Sequence, residues 1–95
     1  MYIFDDETTN ATSGDISIGS SSMYKMTVWG TMGGATVTMY YSIDGTNFVA
    51  VDSGLTAAGG QDFYLPDKCK IHVVISGGSG ATISVTLHPI RLSVH

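Results

Sequence analysis

The chain has little charge. Asp, Glu, Lys and Arg together make up 13% of its 95 residues, about half the roughly 25% usual in soluble domains. Lys and Arg number four against eight Asp and Glu, for a formal net charge of -4. This excludes nucleic acid as the main partner, because neutralising phosphates takes a basic surface. No apolar run approaches the roughly 18 residues of a membrane-spanning helix, so no membrane partner is expected. The opening residues, Met1-Tyr2-Ile3-Phe4-Asp5-Asp6-Glu7, lack the basic region and apolar stretch of a secretory signal. The single cysteine, Cys69, excludes an intrachain disulfide and a cysteine-rich zinc site. We therefore expect synthesis in a reducing cytoplasm. Asn10-Ala11-Thr12 fits a glycosylation sequon and, without such a signal, is read as a chance match.

Helical periodicity is also missing. In its place is a chain in which Gly, Ser and Thr supply 34 residues, with enough Val, Ile, Met and Tyr to argue against low-hydrophobicity disorder. A domain this small buries only about 60–65% of its unfolded surface. Its weakly polar exterior must face water or be covered by something else.

The dominant signal is alternation at period two, punctuated by glycine. Met23–Gly30 places Tyr24, Met26 and Val28 on one face. Ala35–Ile43 is the cleanest strand, with Ala35, Val37, Met39, Tyr41 and Ile43 directed inward. Asp44-Gly45-Thr46-Asn47 reads as a turn. Phe48–Val51 is apolar on both faces, which predicts two-sided burial or a bulge. Residues 53–60 read as a loop, and Phe63–Leu65 as a strand stopped by Pro66. Cys69–Ser76 points Cys69, Ile71, Val73 and Ile75 inward. Ala81–His88 points Ile83, Val85 and Leu87 inward. A hairpin through Gly77–Gly80 would pair Ile75 with Ile83, Val73 with Val85 and Ile71 with Leu87. Pro89 ends that ladder. Ile90, Leu92 and Val94 suggest a last strand, with Arg91 and Ser93 outward.

These elements predict an all-β fold: a small antiparallel β-sandwich, jelly-roll or Ig-like, of six to eight short strands. Residues 1–22 read as an N-terminal arm or edge strand, and 23–95 as a single sandwich domain. The segment Gly34-Ala35-Thr36-Val37-Thr38 is echoed 46 residues later by Gly80-Ala81-Thr82-Ile83-Ser84. Two similar hairpins, one in each half, would suit a pseudo-symmetric sandwich.

No catalytic constellation is visible. His72, His88 and His95 are the only histidines. The hairpin register sets His72 and His88 on a diagonal, with Lys70 across from His88 and no carboxylate nearby in sequence. Asp44, Asp52, Asp62 and Asp67 sit in or beside turns, where backbone chemistry explains them. Cys69 falls on an apolar face, where thiols are usually inert. The Gly77–Gly80 stretch leads into a strand, whereas a phosphate cradle needs a helix N-terminus. No metal, cofactor or catalytic role is assigned. Binding signals are stronger. Trp29, Tyr40 and Val74 fall on the outward faces of their strands, and Tyr2, Ile3 and Phe4 form an apolar cluster near the N-terminus. These six are the candidate protein-interface residues, and the aromatics also suit stacking on sugar.

The stretch from Val28 to Val51 (VWGTMGGATVTMYYSIDGTNFVAV) resembles small phage virion proteins. Those share the grammar of strand, Gly-Thr-x-Gly-Gly-Ala-Thr-Val, strand, Ser-x-Asp-Gly-Thr-Asn and an aromatic. Phe48 stands where Trp is common. The resemblance implies a non-enzymatic structural protein of the virion, made in the host cytoplasm. The role it favours is capsid decoration, or cement, bound to the major capsid protein and to itself, by analogy as a homotrimer. Tail, neck or fibre components share the grammar. A carbohydrate-binding or host-adhesion module is the alternative from another class.

Overall fold

Small polar residues alternating with Val, Ile, Met and Leu produce strands throughout the chain. The computed structural model describes residues 2–19, 22–51 and 53–90. Nine strands lie among them: β1 Tyr2–Glu7, β2 Ala11–Thr12, β3 Ile16–Ile18, β4 Ser22–Thr31, β5 Thr36–Ser42, β6 Val49–Ala50, β7 Gly59–Leu65, β8 Cys69–Ser76 and β9 Thr82–Pro89. One sheet has the order β1-β9-β4-β7. The other has the order β2-β8-β5-β6, with β3 also paired to β8. β2 and β3 lie along the same strand, at Ile75 to Val74 and at Ile71 to Cys69, as one edge strand interrupted at residues 13–15. Counted so, the eight strands run first-eighth-third-sixth in one sheet and second-seventh-fourth-fifth in the other. That order is a jelly roll.

The alternating apolar positions meet between the sheets. Met26, Val28, Ile83, Val85 and Leu87 face Val37, Met39, Ile71, Val73 and Ile75, all buried. Phe63 and Leu65 close the core along β7. β7 begins at Gly59, earlier than the loop expected for residues 53–60, and stops before Pro66.

The β8–β9 hairpin expected from the sequence does not form. β8 pairs with β5, as Val37↔Ile75, Met39↔Val73 and Tyr41↔Ile71. β9 pairs with β4, as Val28↔Val85 and Met26↔Leu87. The chain crosses from one sheet to the other at Gly77–Gly80, and likewise between β4 and β5. Alternation sends the same residues inward in either case. In a hairpin they would lie side by side, whereas here they meet face to face across the core.

The 46-residue echo is therefore a pair of crossings. β4 leads to β5 and β8 leads to β9, with β4 against β9 and β5 against β8, an approximate two-fold arrangement. The two glycine loops touch at its centre. Ser79 N–H donates to the Gly33 carbonyl at 2.9 Å. Gly33 has φ +57°, and a Cβ there would stand 2.5 Å from the Ser79 carbonyl oxygen. Only glycine fits that crossing.

Residues 2–18 do not form a separate arm; they supply edge strands to both sheets. β1 pairs with β9 through two register shifts, which mark bulges. Phe4 is 8% exposed and belongs to the core, with Ile3 packed against it. Both therefore take part in the domain's own packing, Phe4 within the core and Ile3 partly buried against it, in place of the free apolar cluster expected. The expected two-sided burial of residues 48–51 is replaced by an irregular edge. β6 spans two residues, Val51 N–H donates to the Met39 carbonyl, and Leu55 rejoins Val37. Leu92 and Val94 lie outside the described residues. Ile90 follows β9 and donates to the Met23 carbonyl at 2.8 Å.

Candidate functional site

The remaining interface candidates fall on the two outer faces of the sandwich. Tyr2 on β1 and Trp29 on β4 lie on either side of β9, the strand between them. Their rings meet edge to face, with centroids 5.8 Å apart. They roof Ser84 and Thr86, which point outward from β9 yet are buried. Ser84 Oγ accepts the Asp6 N–H at 3.0 Å and donates to Asp6 Oδ1 at 3.2 Å. Asp6 reaches it by taking φ +53° within the bulged stretch of β1, a left-handed conformation that Asp tolerates better than most residues. At the far side of this face Lys25 Nζ lies 3.3 Å from Asp62 Oδ1.

Tyr40 lies on the outer face of the other sheet, paired with His72 across β5 and β8. The His72 ring sits 4.3 Å from the Phe48 ring in a stacked arrangement and 5.4 Å from Tyr40. Its Nδ1 is 3.4 Å from Asp15 Oδ1. Val74, half-buried, stands between Thr38 and Thr12. The structure thus brings Tyr2 together with Trp29 on one sheet and places Tyr40 and Val74 on the outer face of the other, where Tyr40 meets His72 and Val74 pairs with Thr38.

A third surface was not visible in the sequence. Ile43, Tyr64 and Val49 are 71%, 67% and 54% exposed. They lie at the side of the sandwich where β6 and β7 are the outermost strands. Tyr41, Ile43, Val51, Tyr64, Leu65 and Pro66 line a cleft of about 440 Å³ there. Alternation assigned Ile43 to the core. β5 ends at Ser42, and the chain turns before Ile43 can face inward.

That turn is set by Asp44. Its Oδ1 accepts the N–H groups of Thr46 and Asn47 and the Ser42 hydroxyl, each at 2.8 Å, and its Oδ2 accepts the Asn47 amide at 2.7 Å. Those donors, the Asn47 backbone N–H foremost, hold the Asp44 carboxyl well below the usual carboxylate range. With every oxygen engaged in its own loop, Asp44 reads as a turn former and not as an acid or base.

Among the described residues, titratable side chains pair as Lys25–Asp62 and as His72–Asp15. His72 and His88 lie in different sheets, and His95 is outside the described residues. Cys69 is buried, and burial pushes its thiol pKa up. Among the described residues no three His, Cys, Asp or Glu side chains gather where they would hold a metal ion. The arrangement offers surfaces for contact: two weakly charged faces and an apolar rim. No protein-family model matches the chain, and no curated protein or solved structure proves similar to it.

Proposed function

We propose that this chain is a non-enzymatic phage virion protein that decorates the assembled head and bridges neighbouring capsomers. The observation that carries this reading is the chemistry of the outer faces. The four central strands, β4, β5, β8 and β9, carry only Lys25 and Lys70 among Asp, Glu, Lys and Arg. Their other outward positions are mainly Thr, Ser, Tyr, Trp, Val and His. Such faces lose water at lower cost than charged ones and suit wide protein contact. The resemblance of residues 28–51 to phage virion proteins directs the reading to a particle, and jelly rolls occur in viral capsid domains. Its mechanism is repetition. An interface of about 1,600 Å² or less, formed at every equivalent position of a shell, reinforces it by multivalency.

Copy number in purified particles tests this. We expect hundreds of copies per particle, lost together with intact heads. A few copies, retained with isolated tails, would overturn decoration in favour of a tail, neck or fibre role.

The Tyr2–Trp29 pair favours a second reading, a saccharide-binding module. Aromatic faces flanked by Thr27, Thr31 and Thr82 offer stacking and hydroxyl partners. Under this reading, Trp29→Ala abolishes binding on a glycan array while far-ultraviolet circular dichroism stays unchanged. Equal array signals from both proteins would reject it.

A further inference from the structure

Exposed sheet edges are places where another strand can add, and proteins usually blunt them. Three of the four edges here are blunted. β1 carries two register shifts and the acidic run Asp5-Asp6-Glu7. The β2–β3 edge is broken at residues 13–15. β6 has two residues and then departs from the ladder before Leu55. β7 differs. Its seven residues pair with β4 in one unbroken register from Ser22↔Leu65 to Val28↔Gly59. No strand lies on its other side among the described residues. Its sole charged side chain, Asp62, is neutralised by Lys25. Its own Tyr64 is exposed, and the exposed Ile43 lines one cleft with Tyr64, Leu65 and Pro66.

We propose that β7 is a self-association edge, and that its occupant is β7 of a second copy in antiparallel pairing. The choice of occupant follows from the other edges. Among the described residues a second copy presents one long, regular edge of its own, and that is β7 again. Joining them makes one continuous eight-stranded sheet about a two-fold axis. The apolar rims then meet each other, and the Lys25–Asp62 pairs remove like-charge repulsion between Asp62 and its counterpart. The contact is isologous and closes at two copies. A ring of three joined by strand pairing would need a second competent edge, and the described residues offer none. This inference does not depend on the virion reading.

Sedimentation equilibrium of the full chain between about 10 µM and 1 mM tests it. The expected result is a reversible shift from the 10.0 kDa monomer toward twice that mass. Tyr64→Lys changes an exposed side chain beside the edge, so the monomer keeps its fold by circular dichroism. It should raise the dissociation constant by at least about tenfold. Ile43→Lys should act in the same direction. Amide exchange in β7 should slow as concentration rises. A monomer at 1 mM, a trimer, or a dimer indifferent to both substitutions would overturn the proposal.

Discussion

Gly30→Ala is expected to leave the chain without a stable fold. Gly30 has φ +110° and pairs with Ile83 where β4 runs against β9. A Cβ there would stand 2.1 Å from the carbonyl oxygen of Thr82. That atom is backbone, so no side-chain rotation relieves the clash. The conformation alone costs an L-residue about 1–3 kcal/mol. The clash adds the cost of displacing two central strands from each other. At about 0.05–0.15 kcal/mol per residue, a domain this size has on the order of 5–14 kcal/mol of stability. We expect a loss of more than about 4 kcal/mol in urea denaturation, or no soluble β-protein at all. Gly14→Ala is the control, since nothing lies within 4 Å of the added methyl. If both variants unfold at the same urea concentration, the close approach of Gly30 to Thr82 does not matter to stability.

Phe4→Ala is the second large effect. Phe4 opposes Val85 on the edge of its sheet and lies in the main core cluster. Removing a buried Phe side chain typically costs about 3–5 kcal/mol, as lost transfer energy plus a cavity. A residue on a free arm would cost within about 0.5 kcal/mol. The two readings of the N-terminal segment therefore differ several-fold in one equilibrium measurement. Deleting residues 1–7 should go further, removing an edge strand together with the roof that Tyr2 forms over Ser84 and Thr86. A deletion variant with unchanged thermal unfolding would restore the arm.

Much of this fold can be read from spacing. Cys69–Ser76 is a strand with the bounds and buried face that alternation predicts. Val37, Met39, Ile83, Val85 and Leu87 are buried for the same reason. Period two, however, reports only which side of a strand is apolar. It cannot say whether two such strands share a sheet or face each other, because both arrangements bury the same side chains. Spacing alone therefore suggests a β8–β9 hairpin, whereas β8 pairs with β5 and β9 with β4. The glycine loops hold the distinction, but only in three dimensions, where Ser79 meets the Gly33 carbonyl.

The surface shows the same division. Trp29 and Tyr40 point outward, as alternation requires. That Trp29 meets Tyr2 across β9, while Tyr40 meets His72 on the opposite sheet, depends on strand order, which local periodicity does not encode. The rim of Ile43, Val49 and Tyr64 depends on where strands end, and each of these residues is apolar enough to pass for core. The scarcity of charge was legible at once in the composition, together with the all-β class and most of the inward-facing residues. Tertiary structure alone decided the jelly-roll order, the placement of β1 within a sheet, and the choice of β7 as the unprotected edge. The reason is physical. Alternation and composition act within a strand, whereas sheet membership and edge exposure follow from contacts between residues far apart in the chain.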